Sequence, residues 1–266
     1  MNTSNPTSFR VVTYNVLAQA YVRADRYPGV DPRALAPGPR RALLLRRIAE
    51  LDADLLCLQE VEADLYEALT ALLPGHRGVY EQKHGRPDGA ATFIREPRFA
   101  LEQHTMLHYR ACEPDADHLA IVTTVRDTTT EPARELVIAN THLRWQPEHT
   151  PVDRHLGVLQ IDELLEQLKL VPRTTPRVLA GDLNAISQSP VVARAERAGL
   201  ALSARSQRPW DTTVINGRRR KIDYLLFDGD LSPSPGALPQ LSRDRPMPSL
   251  AEPSDHLPLS VDFTWC

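Results

Sequence analysis

Short runs of apolar residues that end in polar ones recur along the chain and predict buried strands. Residues 9–16 are rich in β-branched and aromatic side chains and predict a strand that ends at Asn15. Similar runs predict strands at 54–60, 90–94, 119–125, 136–140, 177–182, 222–227 and 259–263. Apolar residues at helical spacing predict helices at 40–51, 62–73 and 152–170. Strand–helix–strand units occur beside neighbouring strands, and this order predicts an α/β sandwich of two mixed sheets with helices outside.

The proline-rich parts of the chain predict loops inside a single domain. Residues 18–39 and 232–253 each contain several prolines and no clear hydrophobic period, so we expect irregular structure in the first and a long surface loop in the second. Residues 1–8 are polar and predict a disordered tail. The domain is therefore expected to cover residues 9–266.

Composition narrows the class of protein. The 266 residues include 31 Lys and Arg against 34 Asp and Glu, which gives a net charge of −3, so any contact with a nucleic acid needs a local basic patch. No apolar run approaches the ~20 residues of a membrane span, and the polar start lacks the apolar segment of a secretory signal. The three cysteines, Cys57, Cys112 and Cys266, show no metal-binding spacing and predict idle thiols in a reducing compartment. We therefore expect a cytoplasmic protein with no membrane partner.

Polar residues at the strand ends carry the candidate chemistry. They are Asn15, Glu60, Asp88, Asn140 with His142, Asp182 with Asn184, Asp223, and the turn Ser254-Asp255-His256. A single strand-end Asp is more often a turn residue or a helix cap, but Asp182 and Asn184 are two residues apart and point to the same face. Carboxylate and amide oxygens suit Mg²⁺ or Mn²⁺, and histidines can donate to phosphoryl oxygens. The set predicts metal-assisted phosphoester hydrolysis.

Seven motifs, in this order, resemble the endonuclease/exonuclease/phosphatase superfamily. They are Tyr14-Asn15-Val16, Gln59-Glu60-Val61, Asp88-Gly89-Ala90, Asn140-Thr141-His142, Gly181-Asp182-Leu183-Asn184, Ile222-Asp223-Tyr224 and Ser254-Asp255-His256. The resemblance implies a deoxyribonuclease I-like two-sheet sandwich. Residues 14–21, 54–62 and 140–147 are most similar to the branch that contains the carbon-catabolite-repressor deadenylases, Nocturnin and Angel.

The resemblance also implies a role for each site residue. The implied ligands of a catalytic Mg²⁺, which Mn²⁺ would replace, are Glu60, Asn15 and Asp255. The implied catalytic residues are Asp182, Asn184, His142, His256, Asp255 and Asp223. Asp182 orients or deprotonates the attacking water, while Asn184 holds the phosphate or the metal. His256 stabilises charge on the phosphoryl group and Asp255 orients that imidazole. His142 donates to the scissile phosphate, and Asp223 supports the site through the metal or an indirect bond.

The implied substrate contacts are Asn140, Pro147, Arg218, Arg219 and Arg220. In the deadenylases, a proline after the histidine motif and an aromatic residue before the Ile-Asp motif sandwich the adenine. Pro147 keeps the proline, but the second position holds the basic run 218–221. An arginine plane can stack on a base, and the run is interpreted as a phosphate-binding patch rather than a solvated loop. Trp145 and Trp210 are expected in the core rather than against a base.

The leading hypothesis is a monomeric Mg²⁺-dependent hydrolase that acts on RNA phosphoesters at or near the 3′ end. The residues favour equally the removal of 3′ nucleotides and the removal of a terminal phosphate, such as a 2′,3′-cyclic phosphate. A DNA-repair endonuclease or 3′-phosphodiesterase, and a phosphatase of a nucleotide or other small phosphate ester, are the alternatives. A non-catalytic scaffold would be expected to have lost a metal ligand or a histidine, and this chain keeps them all.

Overall fold

The computed structural model describes residues 7–112, 117–204, 211–215, 218–241 and 246–266. The strands of these residues are β1 (Ser8–Asn15), β2 (Leu55–Glu62), β3 (His76–Gln82), β4 (Asp88–Arg95), β5 (Phe99–His108), β6 (Leu119–Asp127), β7 (Arg134–His142), β8 (Arg177–Asp182), β9 (Ala201–Leu202), β10 (Thr213–Ile215), β11 (Arg218–Arg220), β12 (Asp223–Asp228), β13 (Leu231–Pro235) and β14 (Leu259–Trp265). The α-helices are α1 (Pro32–Leu35), α2 (Pro37–Glu50), α3 (Ala63–Leu72), α4 (Leu156–Leu168) and α5 (Pro190–Arg197).

Two six-stranded sheets form the sandwich. The first has the order β13-β14-β1-β2-β4-β3, and the second has the order β5-β6-β7-β8-β12-β9. Strands β1 and β2 run parallel, as do β7 and β8, while the other pairs are antiparallel. Strands β10 and β11 form a separate two-stranded ribbon. The prediction of an α/β sandwich with two mixed sheets is confirmed.

Side chains from both faces of the sheets build three apolar layers. Leu55 and Cys57 of β2 face the layer between the two sheets, while Leu56 and Leu58 face the helices α2 and α3. Helices α4 and α5 cover the outer face of the second sheet. Because the central strands are buried on both faces, they have continuous apolar sequences rather than alternating ones. This burial is the reason that β1, β2 and β8 were readily predicted from the sequence.

Several elements differ from the sequence-based expectations. Helix α4 begins at Leu156 rather than at residue 152, because the Nδ1 of His155 accepts a hydrogen bond from the backbone N–H of Val158 and caps the helix. The three residues before this cap form a 3₁₀ turn, Val152–Arg154. The expected irregular segment 18–39 contains two 3₁₀ turns, α1 and the start of α2, since proline is favourable in the first helical turn.

Exposed strands were missed altogether. Strand β5 lies at the edge of the second sheet, and most of its central side chains are exposed, so it lacks an apolar run. Strand β13 occupies the first residues of the expected 232–253 loop, again at a sheet edge, where prolines are tolerated. Strand β1 starts at Ser8, inside the expected tail, while residues 1–6 lie outside the described part of the chain. Among the described residues, no helix is long and apolar enough to cross a membrane.

Asn140 ties the two sheets together instead of binding substrate. Its side chain is fully buried, and its Nδ2 donates to the carbonyl oxygens of Leu58 and Ala91 at 3.2 and 2.9 Å, both in the first sheet. Its Oδ1 accepts from the Nε2 of Gln59 at 2.7 Å. With its polar atoms used inside the core, Asn140 has no face toward a ligand, and its predicted role in substrate binding is wrong.

We expect Asn140→Ala to lower the free energy of unfolding by about 2–4 kcal/mol, because several buried polar partners lose their hydrogen bonds at once. Urea unfolding measures this loss. Gln103→Ala, on the exposed edge strand β5, is the matched control and should stay within about 0.5 kcal/mol of the wild type. A loss below 1 kcal/mol for Asn140→Ala, on the same estimate, would contradict the role of Asn140 as a tie between the sheets.

Candidate active site

The topology brings the polar strand ends to one edge of the sandwich. The parallel pairs β1–β2 and β7–β8 end there together, which places Asn15, Glu60, His142 and Asp182 at the same edge. Strand β12 runs antiparallel to β8, so its first residue, Asp223, pairs with Asp182. The topology therefore gathers these strand ends, which carry the candidate chemistry, at one place.

A β-bulge aims Glu60 into the site. The pairing of β2 with β4 shifts register between Gln59 and Val61, and Glu60 has a φ of 58°. Bulges re-aim side chains at the cost of an unfavourable backbone conformation for a residue with a Cβ. The carboxylate then accepts hydrogen bonds from Asn15 Nδ2 and the backbone N–H of Ala18, each at 3.1 Å. The pKa of Glu60 is raised, mainly by burial, although neighbouring Lys83 opposes the shift.

Asn15 faces the carboxylates with its amide nitrogen. Its Oδ1 accepts from the backbone N–H of Leu17 at 3.0 Å, which fixes the orientation of the amide. Its Nδ2 then donates to both Glu60 Oε1 and Asp182 Oδ2 at 3.1 Å. In this arrangement the amide oxygen is used by Leu17 and the amide nitrogen links the two carboxylates; a role of Asn15 as a metal ligand stays a prediction.

His256 lies between two buried aspartates. Its Nδ1 is 2.9 Å from Asp223 Oδ2, and its Nε2 is 3.7 Å from Asp182 Oδ2. Burial lowers the pKa of His256, but the two carboxylates more than offset it and hold the pKa well above its usual value. A carboxylate does orient this imidazole, but it belongs to Asp223. Asp255, the residue expected in this role, accepts a hydrogen bond at Oδ2 from the hydroxyl of Tyr27 at 3.1 Å, and its charge contributes to the raised pKa of His256.

The pKa of the Asp182 carboxyl group lies near neutral pH in the metal-free site. Burial and the nearby Asp223 raise its pKa to about 7, while His256 and the donors Asn184 and Asn15 oppose the rise. The backbone N–H of Asn184 donates to Asp182 Oδ1 at 2.8 Å. This bond requires the turn after β8, where Asn184 has a φ of 50°, a region that Asn tolerates better than most residues.

His142 is a neutral imidazole with a donor near each nitrogen. Its Nε2 is 3.0 Å from Asn184 Nδ2, and its Nδ1 is 3.3 Å from the Nζ of Lys83. Burial, helped by Lys83 and the neighbouring histidines, lowers its pKa well below the usual value. One ring nitrogen must carry a proton and therefore faces another donor. An anionic oxygen entering this position would accept from both groups.

Lys83 is a site residue that sequence reasoning missed. It is 5% exposed, and its Nζ donates to Asp88 Oδ2 at 2.7 Å. Asp88 also accepts from the hydroxyl of Tyr21 at 2.6 Å, so this strand-end aspartate organises the wall of the site. A single lysine after an exposed strand carries no sequence signal, since solvated lysines are common there.

Two arginines extend the positive side of the site beyond Lys83. Arg86 Nε and Arg144 Nη1 both donate to Asp117 Oδ2, at 2.8 and 3.1 Å. Asp117 is buried, whereas both arginine side chains are more than one-third exposed. Asp117 directly precedes His118, whose ring lies against that of His142 with centroids 5.6 Å apart, so both arginines lie near His142.

A groove of about 560 Å³ opens on the other side of Asn184. Its walls include Trp145, Pro147, His155, Asn184, Arg218 and Arg220. Trp145 is 53% exposed, so the expectation that it packs in the core is wrong, while Trp210 lies outside the described residues. Pro147 lines the groove, and its contact with a base stays a prediction.

The basic run forms a strand rather than a loop. Strand β11 pairs with β10, and successive side chains on a strand point to opposite faces. Arg218 and Arg220 therefore line the groove together. Arg219 points away, with its Nε 3.5 Å from Asp211 and its Nη1 donating to the Leu241 carbonyl at 3.1 Å. Arg219 therefore does not line the groove, and its role in substrate binding stays a prediction.

A divalent metal ion fits the donor set at this edge. The carboxylates that converge here are Glu60, Asp182, Asp223 and Asp255. Their mutual repulsion contributes to the raised pKa values of Glu60 and Asp182, and a bound cation would relieve it. The ligand atoms of Asp182, Asp223 and His256 lie within 4.8 Å of one another. His256, however, has its pKa held well above the usual value by these aspartates, which favours the protonated ring and suits it to donate rather than to bind a cation.

Comparison with known proteins agrees with this geometry. A family model described as Endonuclease/Exonuclease/phosphatase family matches residues 12–256. The mouse protein 2′,5′-phosphodiesterase 12 is 24% identical over 319 residues, which cover 96% of this chain and 52% of that protein. Protein angel of Drosophila melanogaster is 32% identical over 195 residues, covering 69% of this chain and 54% of that protein. The chain thus spans about half the length of these curated relatives.

The crystal structure of ANGEL2, a 2′,3′-cyclic phosphatase, in complex with adenosine-2′,3′-vanadate has a TM-score of 0.83 to this chain. The two chains are 23% identical, and the match covers 97% of this chain and 96% of that one. The deoxyribonuclease I-like fold and the resemblance to the Angel branch are thereby confirmed. With its polar strand ends gathered at one edge of the sandwich and its sequence matched from residue 12 to 256, the chain belongs to the endonuclease/exonuclease/phosphatase family.

Proposed function

We propose that the chain is a Mg²⁺-dependent hydrolase of RNA phosphoesters that acts at or near the 3′ end. The observation that carries this proposal is the array Asp223–His256–Asp182, set beside the carboxylates of Glu60 and Asp255. Hard oxygen donors favour Mg²⁺, with Mn²⁺ as a substitute. The array supplies a group to orient water and a proton donor for a phosphoryl oxygen within one buried cleft.

Each side chain has a role in this proposal. Glu60 and Asp255 hold the cation, which supplies positive charge to the phosphoryl oxygens when bound. Asp182 orients the attacking water and accepts its proton, and its carboxylate is fixed for this role by the backbone N–H of Asn184 and the amide of Asn15. His256 donates from Nε2 as negative charge develops, and Asp223 keeps the ring in place. His142 donates to the same phosphate, which relieves its unfavourable contact with two donors.

Positive charge on both sides of the cleft supports an extended polyanion as the substrate. Arg218 and Arg220 lie on one side of Asn184, and Lys83 lies on the other, next to His142. The name of the mouse relative describes a 2′,5′-phosphodiesterase, and ANGEL2 is described as a 2′,3′-cyclic phosphatase. Both names concern phosphoesters at ribose hydroxyls, and they support the choice of RNA over DNA for this chain.

The proposal is tested by turnover of a 5′-labelled RNA against a DNA of the same sequence, with bis(p-nitrophenyl) phosphate as a small ester. We expect the RNA to be hydrolysed much faster than the DNA at equal concentration. Faster cleavage of the DNA would favour a DNA-repair endonuclease. Equal specific activity on the small ester and the RNA would favour a phosphatase of small phosphate esters.

The groove makes a separate prediction about RNA binding. We expect the double variant Arg218→Ala/Arg220→Ala to bind single-stranded RNA more weakly and to lower the slope of log K against log salt by about 1.4, at ~0.7 per lost phosphate contact. Arg219→Ala is the matched control, since this neighbour points away from the groove. Binding constants over a salt series measure the effect. Equal slopes for the double variant and the wild type would place the RNA elsewhere.

A further inference from the structure

A segment outside the seven motifs crosses the cleft and contacts both carboxylates of the proposed metal site. We call residues 17–27 the strap. It begins at Leu17, which has a φ of 55°, and continues through two 3₁₀ turns, Gln19–Tyr21 and Ala24–Arg26. These short turns leave several backbone N–H groups free to bond to side chains.

The N-terminal end of the strap is hydrogen-bonded to β2, the strand that carries Glu60. The backbone N–H of Ala18 donates to Glu60 Oε2 at 3.1 Å. Two residues along β2, the carboxylate of Glu62 accepts from the backbone N–H groups of Gln19 and Ala20 at 2.8 and 3.1 Å. Three successive N–H groups are thus bound by two acidic side chains of one strand, which fixes the strap against Glu60.

The buried Arg40 fixes the strap to the turn before β14. Arg40 as a whole is 4% exposed. Its guanidinium donates to the carbonyl oxygens of Leu17 and Pro253, at 2.8 and 3.0 Å. Pro253 lies two residues before Asp255 in sequence. The start of the strap and the turn that carries Asp255 are therefore held by a single side chain.

The far end of the strap holds Asp255 itself. The hydroxyl of Tyr27 donates to Asp255 Oδ2 at 3.1 Å, and Tyr27 is half-buried. One carboxylate oxygen of Asp255 is thus engaged by the strap, which leaves the other oxygen for a cation.

Glu60 and Asp255 are thus bound at the two ends of the strap, one by the backbone N–H of Ala18 and the other by the hydroxyl of Tyr27. Without the Tyr27 hydroxyl, the carboxylate of Asp255 loses a side-chain donor that fixes its orientation. Partners that orient metal ligands typically affect metal affinity 10-fold to 100-fold.

We propose that Tyr27 is a positioning residue that sets the divalent-cation affinity of the site by fixing the carboxylate of Asp255 opposite Glu60. The proposal rests on the proposed function, since it takes Glu60 and Asp255 as the ligands. Tyr27 touches neither the substrate nor the cation in this arrangement. Its effect passes through Asp255 alone, and the strap gives it a fixed position from which to act.

The test is Mn²⁺ binding to the full chain without substrate, measured from the free Mn²⁺ signal in electron paramagnetic resonance. We expect Tyr27→Phe to weaken binding by about 10-fold or more while kcat at saturating metal stays within about 3-fold of the wild type. Tyr66→Phe is the matched control, because Tyr66 belongs to helix α3 and stacks on Tyr80 with ring centroids 4.8 Å apart. It should bind Mn²⁺ as the wild type does. Thermal unfolding confirms that both variants are folded.

A double-mutant cycle separates positioning from general destabilisation. In the Asp255→Ala background, Tyr27→Phe should cause no further loss of Mn²⁺ affinity, since its partner is already gone. An additional loss of similar size in that background would overturn the proposal, as would equal Mn²⁺ affinity of Tyr27→Phe and the wild type. Failure of the wild type itself to bind Mn²⁺ would instead contradict the proposed metal site, so the two failures are distinguishable.

Discussion

Asp182→Asn is expected to lower kcat on an RNA substrate by about 10³-fold to 10⁴-fold, with little change in KM. The asparagine keeps the size of the side chain but cannot accept a proton from the attacking water. The carboxylate is buried beside Asp223 and lies 3.7 Å from the Nε2 of His256, the proposed proton donor. Steady-state kinetics at saturating Mg²⁺ measure the effect. A large rise in KM with unchanged kcat would assign Asp182 to substrate binding.

His256→Ala should cause a loss of similar size, and the double variant should be little worse than either single variant. Water activation and proton donation serve the same step, so removing one makes the other nearly useless. His104→Ala, an exposed histidine on edge strand β5, is the control and should keep full activity. If the loss of kcat in the double variant equals the product of the two single losses, Asp182 and His256 act independently.

Glu60→Gln is expected to reduce turnover by about 10²-fold or more at a fixed Mg²⁺ concentration, since the charge of a metal is worth several kcal/mol in such reactions. The glutamine keeps an oxygen but loses the negative charge that attracts the cation. Turnover measured across a Mg²⁺ series should show a half-maximal concentration far above that of the wild type. Glu67→Gln, an exposed change on α3, is the control. An unchanged Mg²⁺ requirement in Glu60→Gln would exclude Glu60 as a ligand.

The metal-free protein gives an independent readout for Glu60. Because the folded-state pKa of Glu60 is raised, the wild type loses stability as pH rises from the ordinary glutamate pKa through the raised value. Glu60→Gln removes this ionisation, so in chelator its melting temperature should equal or exceed that of the wild type at pH 8. At a pH below the ordinary glutamate pKa, Glu60 of the wild type is protonated in the folded and the unfolded state. The difference in melting temperature between Glu60→Gln and the wild type should therefore vanish there. A variant that is less stable at pH 8 would indicate a structural role.

Central strands and their ends were predictable from the sequence because their burial is visible in it. Strands β2 and β8 are covered on both faces, so their apolar runs stop where the polar site begins. Glu60 and Asp182 could be identified as strand-end residues without coordinates. Edge strands such as β5 and β13 have one exposed side and a mixed sequence, and only their pairing partners reveal them.

Which side chains pair with which could not be predicted from the sequence. Asp223 and Asp255 are equally plausible partners of His256 in sequence, yet the register of β12 against β8 brings Asp223 to its Nδ1. Asn140 ends its predicted strand, as Asn15 does. In the structure it lies two residues before the end of β7, and its side chain points between the sheets. Lys83 lies in the site through the pairing of β3 with β4, a contact that no local pattern encodes.

The most direct test of the central claim uses three 5′-labelled RNAs of one sequence that end in 3′-OH, 3′-phosphate or 2′,3′-cyclic phosphate. Each is incubated with the protein in Mg²⁺ and in excess EDTA, beside the Asp182→Asn variant. The account predicts Mg²⁺-dependent change confined to the 3′ end, seen as a ladder of shortened products or as a single mobility shift, and its loss in EDTA and in Asp182→Asn. Full activity in EDTA, or internal cleavage with intact 3′ ends, would contradict it.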